Sequence, residues 1–156
     1  MRPFLLSAIL ISSAIALASC GNSTSSNSSP TGPSTVNLTG TWSGTFVVEG
    51  AATTMTWTLT EASGSNAVAG PVFLALSSGT VLLNGTLSGT LSGTTLTFVI
   101  NVAAGGIASQ PSCTGQLGTT AVAAIAATST LSGTLTVLMS SCLTPVQNGP
   151  FVLTKN

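Results

Sequence analysis

Few side chains in this 156-residue chain could do chemistry, and their placement decides what kind. Arg2 is the one arginine, and beyond it the charged residues are Glu49, Glu61 and Lys155; the chain has no His, Asp or Tyr. Proton transfer needs a titratable group held near the working pH, and most of the usual candidates are missing. Glu49 and Glu61 could in principle form a carboxylate pair. Each is expected to end a successive strand, and at about 3.3 Å per residue the strand starting near Thr53 carries Glu61 roughly 25 Å from its start. Paired carboxylates that hydrolyse glycosides lie within about 10 Å of each other. Both are therefore expected to be solvated loop charges at opposite ends of the domain. Ser and Thr are abundant, but without His, and with Lys155 next to the last residue, nothing activates a hydroxyl. The expectation is a non-enzyme with no cofactor. Nucleic acid is excluded as a partner because phosphate binding needs several cations.

Three cysteines remain. Cys20 follows Leu17-Ala18-Ser19, behind a positive Arg2 and an apolar run from Phe4 to Leu17. That order is the cleavage box of a bacterial lipoprotein signal, in which the Cys20 thiol takes a diacylglyceryl group (palmitate being a typical chain) before the cut. The apolar run is too short, and too interrupted by Ser7, Ser12 and Ser13, for a spanning helix. Gly21 rather than Asp follows Cys20, and by resemblance to the enterobacterial sorting rule this favours the outer membrane. Cys113 and Cys142 are then an even pair in an oxidising compartment, and a disulfide is the expected state. Two thiols with no His or carboxylate near them in sequence make a poor metal site, so no metal is expected.

The elements that would position these residues fall into three parts: a signal over 1–19, a lipidated Cys and Ser/Thr/Asn-rich tether over 20–36, and one β domain over 37–156. The tether would span roughly 20–25 Å as a flexible coil. From Asn37 the apolar period becomes two. Trp42, Phe46 and Val48 share one face, as do Met55, Trp57 and Leu59, then Leu96, Phe98, Ile100 and Val102, then Leu131, Leu135 and Val137, and finally Phe151 and Leu153. Threonines fill the alternate positions. Such patterning marks half-buried antiparallel strands, with turns at Glu49-Gly50, Ser63–Asn66, Ser77–Gly79, Ser92-Gly93 and Asn148-Gly149. Leu-Ser-Gly-Thr recurs at 87–90, 91–94 and 131–134 and reads as a repeated strand-and-turn device. The Ala-rich stretch 119–128 reads as strand rather than helix. About eight strands result, able to close as an up-and-down barrel or to stack as a two-sheet sandwich.

The opening Leu38-Thr39-Gly40-Thr41-Trp42 resembles the Gly-x-Trp start of the calycin barrels, the lipocalins and avidins. With Trp57-x-Leu-Thr-Glu61, the Leu-Ser-Gly-Thr hairpins, the two Cys and the closing Gly149-x-Phe-x-Leu-Thr-Lys155, the chain from Leu38 to Lys155 is similar to lipocalin-like domains of bacterial envelope lipoproteins. The resemblance implies the barrel over the sandwich, with Trp42 closing its floor. It implies no shared ligand. Biotin is not expected, since avidin-type pockets use Tyr, Asp and several Trp.

Two functions are compatible with these residues. In one, the barrel interior holds a small apolar ligand against Trp42, Phe46, Met55, Trp57, Leu59, Leu96 and Phe98, with Leu83, Leu87 and Ile100 also inward. In the other, those side chains simply fill the core and the protein is a structural or surface-interaction module of the envelope; their bulk favours filling. A membrane-spanning barrel is not expected, because its apolar residues would face outward between aromatic girdles.

Overall fold

The computed structural model describes residues 36–119, 124–142 and 148–156. The signal, Cys20 and nearly all of the tether lie outside those residues. Alternation of apolar and hydroxyl side chains becomes nine strand segments: β1 (Gly40–Val48), β2 (Ala51–Glu61), β3 (Ala67–Leu76), β4 (Val81–Ser92), β5 (Thr95–Val102), β6 (Gly115–Gly118), β7 (Ala124–Ala126), β8 (Thr130–Ser140) and β9 (Gly149–Lys155). Every neighbouring pair is antiparallel, and the order β4-β3-β2-β1-β9-β8-β6-β5 returns to β4 through the β4–β5 pairing. This is a closed eight-stranded up-and-down barrel. The sandwich is not formed. β7 pairs with the same two neighbours as β6, with β5 through Thr95↔Ile125 and with β8 through Ala126↔Leu131. It therefore continues the β6 stave below a break, and the Ala-rich stretch contributes strand there, while 120–123 lie outside the described residues.

Closure depends on β1 meeting β9. Trp42 pairs with Lys155 and Ser43 with Thr154, the Asn156 amide donates to the Thr41 carbonyl (2.9 Å), and Ser43 Oγ donates to Asn156 Oδ1 (2.9 Å). Gly44 lies so close to the Val152 carbonyl that a Cβ there would overlap it. A narrow barrel bends its strands sharply, and an inward glycine permits that bend. The same reason corrects the reading of Leu-Ser-Gly-Thr. Only the copy at 91–94 makes a turn; Gly89 and Gly133 sit inside β4 and β8. A Cβ on Gly89 would lie 2.6 Å from the Thr97 carbonyl, and one on Gly133 would lie 3.0 Å from Ala124 Cβ. These two are corner positions of the wall.

The β1–β2 hairpin has Glu49 at φ 49° and Gly50 at φ 82°. Two successive left-handed residues match the right-handed twist of the strands and set the register Val48↔Ala51. Pro71 stands inside β3, where the β2–β3 pairing skips from Val72 to Ala69. A proline has no N–H to give to a ladder, and the β3–β4 side keeps its register through Pro71↔Thr86.

The core runs the length of the barrel, from Leu38, Trp42 and Leu91 at one end to Val48, Val102 and Ile107 at the other. Thr54, Thr58 and Thr60 point out from β2, as Asn84, Thr86, Ser88 and Thr90 do from β4. On these two strands an apolar inside and a hydroxylated outside are the reverse of a spanning barrel, although Val47, Phe73, Ile125 and Val152 are exposed on other strands. No helix among the described residues is long and apolar enough to cross a membrane.

Candidate functional site

Three places could work on a partner: the interior, the two mouths, and the outer rim. Inside, all seven residues expected to face a ligand are buried. Trp42, Phe46, Met55, Trp57, Leu59, Leu96 and Phe98 are at most 2 % exposed. They pack on one another. Trp57 has Phe98 edge-on at 5.1 Å and Phe151 tilted at 5.1 Å, while Phe98 and Phe151 stand 6.2 Å apart. Such geometry sets the positive edge of one ring near the negative face of another. Thr53, also buried, donates its hydroxyl hydrogen to the Phe46 carbonyl (2.6 Å). Among the described residues, the buried side-chain polar atom without a hydrogen-bond partner is Trp57 Nε1.

The lower mouth, where the chain reaches β1, is closed by residues 36–39. Leu38 is fully buried, and Val36, assigned by sequence to the tether, is 7 % exposed and belongs to the core. The packed residues therefore include one that precedes Asn37. Trp42 Nε1 donates to the Leu38 carbonyl (2.8 Å), which agrees with the floor position expected of Trp42. The Leu38 amide donates to Glu61 Oε2 (3.2 Å) and the Glu61 amide to Thr39 Oγ1 (3.0 Å). Lys155 Nζ donates to the Asn37 carbonyl (2.9 Å) and lies 5.3 Å from the centre of the Trp42 ring. Glu61 is thus not the free loop charge expected from sequence. It ends β2 and holds the incoming chain, because a carboxylate is a strong acceptor for an amide that no strand pairs. Glu49 is exposed in its hairpin at the other end, so the two carboxylates are separated as expected.

The upper mouth is covered by the loop between β5 and β6. Ile107 and Cys113 are buried, the Asn84 amide donates to the Gly106 carbonyl (2.7 Å), and the Gly105 amide donates to the Pro111 carbonyl (2.7 Å). Cys113 and Cys142 form a disulfide with Cα atoms 5.0 Å apart, joining this loop to the end of β8. Beside it the Thr114 amide donates to Ser141 Oγ (2.9 Å) and the Ser141 amide to the Thr114 carbonyl (2.9 Å).

Outside this stapled rim lies a cleft of about 430 Å³ that no sequence motif announces, lined by Asn101, Val102, Ala103, Thr114, Gly115, Gln116, Met139, Ser140 and Ser141. Its origin is local. Between β6 and β8 the register shifts from Gln116↔Met139 to Leu117↔Val137, so Leu138 is an extra residue that bends β8. Such bulges re-aim side chains. Here Met139 is left 61 % exposed beside Gln116, whose Nε2 donates to Asn101 Oδ1 (2.9 Å). The bulge could have been found only from pairing, since Thr136–Ser140 alone has no glycine or proline to mark it. Among the described residues no group of three His, Cys, Asp or Glu could hold a metal ion. No protein-family model, curated protein or solved structure matches the chain.

Proposed function

We propose that this chain is a non-enzymatic, lipid-anchored protein of the bacterial envelope, held in the outer membrane through Cys20, whose barrel is a filled scaffold presenting its distal rim to a partner. The observation carrying this reading is the interior. Side chains that would line a ligand pocket are packed against each other, and both mouths are covered by the protein's own residues. A scaffold of this kind works through its outside. The chain reaches the barrel at its lower end, so a tether from Cys20 leaves the stapled rim facing away from the bilayer. The lipocalin-like assignment is supported by the up-and-down order and by Trp42 at the base.

The test has two arms. Labelling cells with a clickable fatty acid should mark the wild type and not Cys20→Ala; a labelled mutant would overturn the anchor. Crosslinking in intact cells from positions 116 and 139 should capture a partner that crosslinking from Thr86 on the barrel wall does not. Equal capture from both would refute the rim.

A second reading, a small apolar ligand inside, is favoured by Trp57 Nε1, a buried donor for which native structures normally supply an acceptor. A shift of Trp emission or of melting temperature with fatty acids or sterols would support it. Unchanged values across the panel leave the filled scaffold.

A further inference from the structure

We propose that the rim cleft binds an uncharged sugar carrying an acetamido group. The inference rests on the rim reading above and supplies the chemistry of its partner. Three observations lead to it. First, the cleft has no charge: Glu61 and Lys155 hold the opposite end of the barrel, and Glu49 sits in the β1–β2 turn outside the lining. An ionic ligand would lose water there and gain no counter-charge. Second, Asn101 and Gln116 are side-chain amides already aligned by one bond between them. A carboxamide has two donors and two acceptor lone pairs, so the pair still offers both a donor and an acceptor. An acetamido group needs one of each. Third, the exposed Met139 thioether and the exposed Ala103 methyl give the lining an apolar surface for a methyl and the C–H face of a sugar ring, beside the hydroxyls of Thr114, Ser140 and Ser141. A flexible thioether packs well on such irregular shapes.

The volume of about 430 Å³ falls within the range of small-molecule sites, roughly 300–1,000 Å³. The wall is preorganised by the Thr114–Ser141 hydrogen bonds and the Cys113–Cys142 disulfide, which limits the ordering cost of binding. A cell-wall glycan strand and a free oligosaccharide both present this group, and the chemistry of recognition is the same for either.

The experiment titrates the full chain, by calorimetry, with chitotriose, with maltotriose as the sugar without acetamido groups, and with the cationic glucosamine trimer. Chitotriose is expected to bind about tenfold more tightly than either, the combined worth of one hydrogen bond and one buried methyl. Gln116→Ala should weaken chitotriose about tenfold and maltotriose much less. Met139→Lys, at an exposed position, should weaken both sugars while the melting temperature stays unchanged. Retention on insoluble cell-wall glycan, competed by chitotriose, identifies the wall as the source; chitotriose binding without retention identifies a free oligosaccharide. Equal affinity for chitotriose and maltotriose, no binding of either, or an unaffected Gln116→Ala overturns the assignment. If chitotriose fails while crosslinking from 116 and 139 still captures a partner, the sugar is wrong and the rim reading stands. If both fail, the rim reading falls as well.

Discussion

Replacing Trp42 by Ala tests the lower mouth, because three separate contacts end in that one side chain. The indole is fully buried, so truncation leaves a cavity that the surrounding strands fill only in part, at a cost of about 3–5 kcal/mol. It also removes the Nε1 hydrogen bond and leaves the Leu38 carbonyl without its donor, adding about 1 kcal/mol. Loss of the Lys155 cation from the ring face adds about 0.5 kcal/mol, the low end for an exposed site. The sum, about 5 kcal/mol, is a large part of the stability of a domain this size and should lower the melting temperature by about 20 °C. Trp42→Phe separates the contributions, since it keeps most of the volume and loses the hydrogen bond; about 2 kcal/mol is expected. Urea melts followed by circular dichroism and by Trp57 emission measure both. The m-value should not change, because the barrel unfolds as one unit. A loss below about 1.5 kcal/mol in Trp42→Ala would refute the reasoning, as would equal costs for the two variants.

Reduction of Cys113–Cys142 opens a covalent loop with a sequence separation of 29. Chain entropy gives a loss of about 3.6 kcal/mol, read as a lower melting temperature under reductant, and an unchanged value would show that the rim does not depend on the staple. Glu61→Ala frees the Leu38 amide and should cost about 1–2 kcal/mol with faster amide exchange over 37–39. Glu49→Gln should fall within about 0.5 kcal/mol of wild type. Glu49→Asn, at φ 49° in the hairpin, should stabilise by about 0.5–1 kcal/mol in the same urea melts, since Asn tolerates that conformation better. Gly44→Ala places a methyl against the Val152 carbonyl and should cost about 1–3 kcal/mol; a neutral effect would mean that β1 and β9 are not held closely.

The strands were legible because their signal is strong and local. The run from Thr54 to Thr60 alternates without a fault, and each of Met55, Trp57 and Leu59 is buried as that period requires. The disulfide followed from counting thiols in an oxidising setting, and Trp42 from the opening Gly-x-Trp. Features that depend on partner strands were not legible. Gly89 and Gly133 look like turn residues in a one-dimensional pattern; only the approach of Thr97 and Ala124 from neighbouring strands makes them corners. Glu61 looked solvated because its acceptor role requires residues 38 and 39 to fold back against the end of β2. The rim cleft was hidden for the same reason. It exists because β8 has one residue more than β6 at Leu138, and an extra residue has no sequence mark until the register is known.

The seam between β1 and β9 also has a consequence in time. Its pairing joins residues such as Ser43 and Asn156, 113 positions apart, whereas every other ladder joins strands close in sequence. Hairpins close over short loops, but β1 cannot meet β9 until the whole chain between them is present, so the seam carries the largest loop-closure cost and is the last ladder to form. Until then β1 exposes an unpaired edge, and the nearly uncharged chain has little electrostatic repulsion to keep another strand from it. The period of greatest danger for this protein is therefore the interval before the seam closes. The yield of folded barrel then depends on how fast the seam closes as well as on the stability of the finished barrel.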